Sequence, residues 1–288
     1  MTSPFKSVAI IGIGLIGSSI ARAVRQALPD VHLRAYDADP DVVRRAERLG
    51  LADLVVAEPG LAVSGAELVI LCVPVGAMGQ AAAAIAPSLG QDAVVSDVGS
   101  SKVAVAVALR AALPLASIIP AHPVAGTENS GPDAGFASLF EGKWCILTPD
   151  EDSCAEDVDK LGKFWTGLGA KVELMSAAHH DMVLAVTSHL PHLIAFAIVG
   201  TASDLERVTQ SDVLKYSAGG FRDFTRLAAS DPTMWRDVFL TNKDAVMEIL
   251  DQFTDDLAKL RKTVEREDGA TLFDLFTRAS TIRRGIVE

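Results

Sequence analysis

The chain has 288 residues, 49% hydrophobic and 22% charged, which is the balance of an ordinary globular protein and not of a disordered, collagen-like or low-complexity one. Its 26 basic and 37 acidic residues leave a formal charge of −11. An acidic chain repels polyphosphate and gains nothing from an anionic lipid surface, so neither nucleic acid nor a membrane is expected as partner. At roughly 100–200 residues per domain, the length predicts two domains.

Three cysteines (Cys72, Cys145, Cys154) show no CxxC spacing and are odd in number. A disulfide framework is therefore not expected, and a reducing compartment is. As small apolar core residues they need no catalytic role. The N-terminal apolar run follows a single lysine and ends in glycines, which suits a first strand and its turn and not a secretory leader. The protein is read as cytoplasmic. The longest later apolar stretch, Met182–Gly200, contains Thr187, Ser188, His189, Pro191 and His192. It is too polar for a confident membrane span and is read as a buried helix of a large core.

In chain order, Ser7–Ile11 is a β-rich run, followed by glycines and a helix over Ser18–Ala27. His32–Tyr36 is the next strand and Asp41–Leu49 the next helix. Leu68–Val73 is continuously apolar, as a strand covered on both faces requires. Ala93–Asp97, Ser117–Ala121, Trp144–Leu147 and Lys171–Met175 continue the series. Alternating β and α elements predict an α/β Rossmann architecture, a doubly wound and mostly parallel sheet, over residues 1–176. From Ala177 the β signal fades. Ala178–Gly200, Leu205–Ala218, Asp231–Phe253 and Thr271–Ile286 read as helices, so residues 177–288 are expected to form an all-α domain. Pro191 should kink the first of these helices or break it. Val238–Val264 has apolar residues at helical spacing. It reads either as one amphipathic helix lying on the core or as a helix that pairs two copies of the chain.

Gly12, Gly14 and Gly17 spell GIGLIG directly after the first strand. The first glycine permits a tight turn, the second a close backbone approach to a diphosphate, and the third close packing of helix on strand. The diphosphate would sit on the helix N-terminus, beside Leu15 and Ile16. Asp37, about twenty positions later at the end of the second strand, can accept both ribose hydroxyls and would repel a 2′-phosphate. NAD is therefore expected as cofactor over NADP, with Asp37 capping the next helix as the structural alternative. Arg34 is discounted, because strand alternation turns it from the ribose edge. Val73 and Pro74 end a strand at the carboxyl edge of the sheet, where they would wall the nicotinamide side.

Three polar clusters can carry chemistry. In Ser96–Lys102, Asp97 or Ser100 either caps the following helix or presents a hydroxyl to the crevice. In His122–Gly131, a histidine at a strand end precedes a polar loop; a lone histidine of this kind is either a structural hydrogen-bonder or a base. The third cluster holds His189 and His192, three apart on one helix face, and Arg222 and Arg226, four apart. No third ligand is spaced to make the histidines a metal site, and none is expected. The arginines suit a substrate with more than one carboxylate, or else form exposed ion pairs with Asp223 and Asp231.

Taken together, GIGLIGSS, DVGSSK, HPVAGTENSG, TSHLPH and GGFRDFTRLAASDPTMWRDV resemble the prephenate/arogenate (cyclohexadienyl) dehydrogenases of tyrosine biosynthesis, in order from Val8 to about Asp237. The resemblance implies a Rossmann domain followed by a helical domain that forms homodimers. It implies oxidative decarboxylation: the ring hydroxyl of prephenate or arogenate is oxidised by hydride transfer, the ring carboxylate leaves as CO2, and the ring becomes aromatic. By motif position, His122 resembles the base that takes the hydroxyl proton. Ser100, with Ser101 beside it as an alternative, resembles the serine near the hydroxyl and nicotinamide. Arg226 resembles the arginine that holds the ring carboxylate. His189 and His192 resemble the pair near the substrate side chain, Thr127 and Glu128 would shape the crevice, and Arg222 would reach toward the partner subunit's site. The sequence as given carries neither a βαββαβ regulatory domain nor a helical mutase extension, so any tyrosine feedback is expected to act by product competition. The rival readings are another Rossmann-plus-helical hydroxy-acid or imine oxidoreductase, and a catalytically silent NAD sensor.

Overall fold

The computed structural model describes residues 3–127, 129–209, 215 and 218–287. Strands and helices alternate through β1 (Ser7–Ile11), α1 (Leu15–Ala27), β2 (His32–Tyr36), α2 (Pro40–Arg48), β3 (Leu54–Val56), α3 (Pro59–Val63), β4 (Leu68–Leu71), α4 (Met78–Ile85), β5 (Val94–Asp97), α5 (Val103–Ala112) and β6 (Ser117–Ile118). The strands form one parallel sheet in the order β3-β2-β1-β4-β5-β6. β3 is a short strand that the sequence reading passed over.

Alternation along the central strands fills both faces. Val8, Ile10, Leu68, Ile70 and Val94 belong to one buried layer, which includes Ile20 and Val24 of α1. Ala9, Ile11, Val69, Leu71 and Val95 belong to the other, with Met78 and Ala82 of α4 and Leu109 of α5. This two-sided burial explains why the strands read as unbroken apolar runs.

The expected strand Ser117–Ala121 is in fact two. Proline has no N–H for the ladder, and the chain leaves the main sheet before Pro120. It then starts β7 (Ala121–Pro123) of a second, three-stranded sheet, with β8 (Trp144–Leu147), α6 (Ala155–Gly167) and β9 (Lys171–Leu174) following. β7 runs antiparallel to β8, and β8 parallel to β9. This change of sheet decides where His122 points, because His122 now pairs with Ile146 and not with the parallel sheet. Of the cysteines only Cys145 is buried; Cys154 is exposed ahead of α6 and Cys72 is half-buried.

The remaining helices are α7 (Ala177–Leu184), α8 (Leu190–Thr209), α9 (Gly219–Thr225), α10 (Pro232–Thr241), α11 (Lys243–Glu265) and α12 (Gly269–Val287). Between α7 and α8 the backbone widens into a π-turn, Ala185–His189. Pro191 cannot donate to the carbonyl four residues back, and the π-turn absorbs that loss without breaking the helix. Leu205, expected to open a separate helix, lies inside α8, and half of Leu205–Ala218 falls outside the described residues. Ala177–Leu205 is long and apolar enough to cross a membrane by length and composition, and only 28% of its most apolar window is buried. It is therefore not the deeply buried core helix the sequence suggested. The expected single helices Asp231–Phe253 and Val238–Val264 are each divided at Asn242, which leaves helical geometry (φ −110°, ψ 32°) between α10 and α11.

The chain divides into two compact units, Met1–Lys243 and Asp244–Glu288. The first contains both sheets and every candidate site residue. The second holds α12 and nearly all of α11, which expose Leu257, Val264, Phe273, Phe276 and Ile282.

Candidate active site

The glycine turn has the shape a dinucleotide diphosphate needs. Gly12 sits at φ +100°, and a Cβ there would meet the Cys72 carbonyl oxygen at 2.7 Å. A Cβ on Gly17 would lie 2.0 Å from the Gly12 carbonyl oxygen, so the helix can lie against the turn only because residue 17 is glycine. Gly14 has open space where its Cβ would be, and it precedes α1 with no side chain capping the helix. The N–H groups of the first turn are thus left to an anion. Leu15 and Ile16 are half-buried on that turn. Val73 stands against Gly12, with its Cγ1 3.1 Å from the Cβ position, and Pro74 opens the short 3-10 turn Val75–Ala77.

Asp37 accepts from Ile13 N–H at 2.7 Å and from Asp39 N–H at 2.9 Å. It is therefore fixed against the glycine turn. The cap of α2 is Asp39, which accepts from Asp41 N–H at 2.8 Å, so the capping alternative for Asp37 falls away. Each Asp37 oxygen retains a lone pair for a ribose hydroxyl. Arg34 donates to the Ser64 carbonyl, as befits a residue turned from the ribose edge.

His122 is 8% exposed, and its Nδ1 lies 2.8 Å from His180 Nε2. His180 Nδ1 in turn lies 2.8 Å from Asp181 Oδ1. A carboxylate only accepts, so His180 Nδ1 carries a proton. Neutral His180 then offers its Nε2 lone pair, and His122 Nδ1 must be the donor. That leaves the His122 Nε2 lone pair to take a proton. Burial drives the His122 pKa well below 6.5, helped by the nearby His180, Lys102 and His189. His180 is also lowered, by burial, against the pull of Asp181.

Asp181 is the organising carboxylate. It accepts from Lys102 N–H at 2.7 Å and Val103 N–H at 2.9 Å. It thereby caps α5 from a helix nearly eighty positions away, the role the sequence gave to Asp97 or Ser100. Asp97 instead accepts from Gly99 N–H at 2.7 Å and pairs with Lys102 Nζ. Both side chains of that pair are 0% exposed, and Lys102 Nζ also donates to the Ala121 carbonyl at 2.7 Å. Burial raises the Asp97 carboxyl and lowers the Lys102 ammonium, while their mutual attraction opposes both shifts.

Of the two candidate serines, Ser101 is buried with its hydroxyl 2.8 Å from Thr241 Oγ1. Ser100 remains partly exposed. His189 is fully buried, edge-on to Trp235, and His192 stacks on the same indole at 3.6 Å between ring centres. The charge of Arg226, on the 3-10 turn Arg226–Ala229, is felt at His192, and His189 is felt at His122. His189 and His192 thus meet on one indole, with the charge of Arg226 within electrostatic reach of His192. Arg222 is exposed on α9, Thr127 is exposed after β7, and Glu128 lies outside the described residues. Asp231, offered as an ion-pair partner for the arginines, caps α10 through Met234 N–H at 2.7 Å.

Sequence reasoning missed His180, Asp181, Lys102, Trp235 and Asn242 as parts of this site. The run His179-His180-Asp181 at a helix start was the available signal. Lys102 stood in plain view within a strand-end motif, but nothing in the sequence shows that a lysine is buried.

Comparison with known proteins agrees with this geometry. The model for the prephenate dehydrogenase nucleotide-binding domain matches residues 20–174, and that for the prephenate dehydrogenase dimerization domain matches residues 176–278. The chain is 48% identical over 279 residues to a cyclohexadienyl dehydrogenase of Zymomonas mobilis, covering 97% of this chain and 95% of that one. It superposes with a TM-score of 0.92 and 34% identity on prephenate dehydrogenase from A. aeolicus in complex with hydroxyphenyl propionate and NAD+, covering 98% of each. Synechocystis arogenate dehydrogenase superposes with a TM-score of 0.81 and 26% identity, over 96% of this chain and 98% of that one. With a glycine turn shaped for a nucleotide, a buried histidine chain and matches that span nearly its whole length, the chain belongs to the prephenate dehydrogenase family.

Proposed function

We propose that this protein catalyses the NAD-dependent oxidative decarboxylation of prephenate, arogenate or both, to 4-hydroxyphenylpyruvate or tyrosine. The His122–His180–Asp181 chain carries the reading, because it leaves one buried imidazole nitrogen ready to accept a proton. NAD on the glycine turn supplies the hydride acceptor. His122 Nε2 takes the ring hydroxyl's proton as that hydride leaves, and Ser100 shares the hydroxyl. The positive charge on His122 is spread through Nδ1 to His180 and opposed by Asp181. Arg226 holds the ring carboxylate until it departs as CO2, with His192, stacked on Trp235, and His189 nearby. Thr127 and Glu128 shape the crevice, Ser101 holds the serine loop, and Arg222 reaches toward a neighbouring subunit. Aromatisation supplies much of the driving force, so the protein chiefly has to position and polarise.

The same reading divides the work near residue 176, with nucleotide binding before it and substrate binding and dimerisation after it. The exposed apolar side chains Val186, Ile198 and Leu205 belong to a helix that a second copy would cover. The protein works in the cytoplasm, with small-molecule ligands and its own second copy as partners.

Crossing prephenate and arogenate with NAD and NADP in steady-state assays tests substrate and cofactor together. NAD should give the higher kcat/KM, and Asp37→Ser should weaken NAD and narrow its lead over NADP. Unchanged NAD kinetics in that variant would remove Asp37 from the site. Arg226→Ala should chiefly raise substrate KM. Loss of a charge-assisted pair of about 1.5–3 kcal/mol corresponds to roughly ten- to a hundredfold weaker binding. A wild-type KM in that variant would place the carboxylate elsewhere.

A further inference from the structure

Asn242, at the break between α10 and α11, is 4% exposed, and its side-chain amide makes two contacts. Nδ2 donates to the Asp181 carbonyl at 2.8 Å and lies 3.0 Å from His189 Nδ1. A carbonyl cannot donate, so the first contact fixes which end of the amide is nitrogen. The second N–H of that nitrogen then meets a ring nitrogen that must accept. His189 is therefore held with its proton on Nε2. That Nε2 is buried with no hydrogen-bond partner, and the Ser100 main chain is near enough to His189 to favour its charged form. Burial lowers the His189 pKa to about 4, so the ring stays neutral and its tautomer matters at working pH. The neighbouring Thr241 grips Ser101 through its hydroxyl at 2.8 Å. Two consecutive residues at one helix junction thus contact Ser101 and His189.

We propose that Asn242 is a positioning residue for the reaction: it locks His189 as an Nε2–H donor, and that donor steadies the Ser100 loop against the substrate hydroxyl. On this assignment His189 works behind the serine and does not itself bind substrate. The proposal rests on the reading of the chain as a prephenate or arogenate dehydrogenase that uses Ser100.

The test uses the full-length protein labelled with 15N-histidine. Long-range 1H–15N correlation reports which ring nitrogen of His189 bears hydrogen, with the signal assigned by its loss in His189→Gln. In the wild type, Nε2 should be the protonated nitrogen and Nδ1 the bare one. Asn242→Asp keeps the shape but replaces the donor by an acceptor, so Nδ1 should gain a proton. In that variant kcat should fall on the order of tenfold, the worth of one buried hydrogen bond to a working group, while KM for NAD stays within about twofold. A purely structural role would leave the tautomer unmoved. The proposal fails if wild-type His189 carries its proton on Nδ1, or if Asn242→Asp turns over at the wild-type rate. Should that variant not fold, the wild-type tautomer alone decides. A wild type that turns over neither substrate would strike the functional reading and leave the tautomer assignment standing.

Discussion

His122→Asn should lower kcat by about 10²–10⁴-fold, the usual scale for loss of a general base, with little change in substrate KM. The size of the effect follows from the geometry. No other imidazole in the His122–His180–Asp181 chain presents a bare nitrogen, because His180 spends one ring nitrogen on Asp181 and the other on His122. Asparagine keeps a polar group at that depth, so the loss reads chemistry more than folding. The pH profile of the wild type follows from the same burial. The base must be neutral, and its pKa is well below 6.5. As pH falls through 6.5, kcat/KM should therefore hold level and decline only at more acid values. A kcat for His122→Asn within about threefold of wild type would refute the role.

Lys102→Met should destabilise the fold by about 3–5 kcal/mol, the usual cost of stripping one partner from a buried ion pair. The pair is fully buried, so water cannot replace the missing ammonium. Asp97 would keep its bonds from Gly99 and Ala121 N–H but lose its counter-charge, and the Ala121 carbonyl would lose its donor. The double variant Lys102→Met/Asp97→Asn should recover part of the loss, because the stranded charge is gone. Urea unfolding of the three proteins checks both statements. A loss under about 1 kcal/mol for Lys102→Met would mean that Asp97 takes up a proton there at little cost. The lysine also bears on chemistry, since its charge is one of those that keep His122 neutral. Ala121 is the residue before His122, so the pair sets the strand from which the base projects.

The parallel sheet was legible because its central strands are buried on both faces and bounded by glycines, a pattern that local sequence carries in full. GIGLIG and Asp37 were legible for a related reason: each glycine answers a local steric demand, and the turn and its acidic partner keep a fixed spacing. The change of sheet at Pro120 was not, because a single proline inside an apolar run does not say which sheet the next residues join. The π-turn at Ala185–His189 was foreshadowed by Pro191, though its form depends on how the surrounding helix repairs the lost bond. His122 was legible by motif, but what makes it a base was not. Its tautomer is set by His180 and Asp181, 58 and 59 positions further on, and by a lysine whose burial only the tertiary structure reveals. Asp181 likewise caps α5 across the fold, where sequence reasoning looked for a local cap.

The central claim is that proton removal at His122 accompanies hydride loss from a ring that then sheds its carboxylate. Measuring NADH and CO2 together, on wild-type protein supplied with prephenate and NAD, tests this directly. The two products should appear in equal amounts and at the same rate, with both slowed together by about 10²–10⁴-fold in His122→Asn. NADH formed without CO2, or CO2 released at an undiminished rate by the variant, would contradict it.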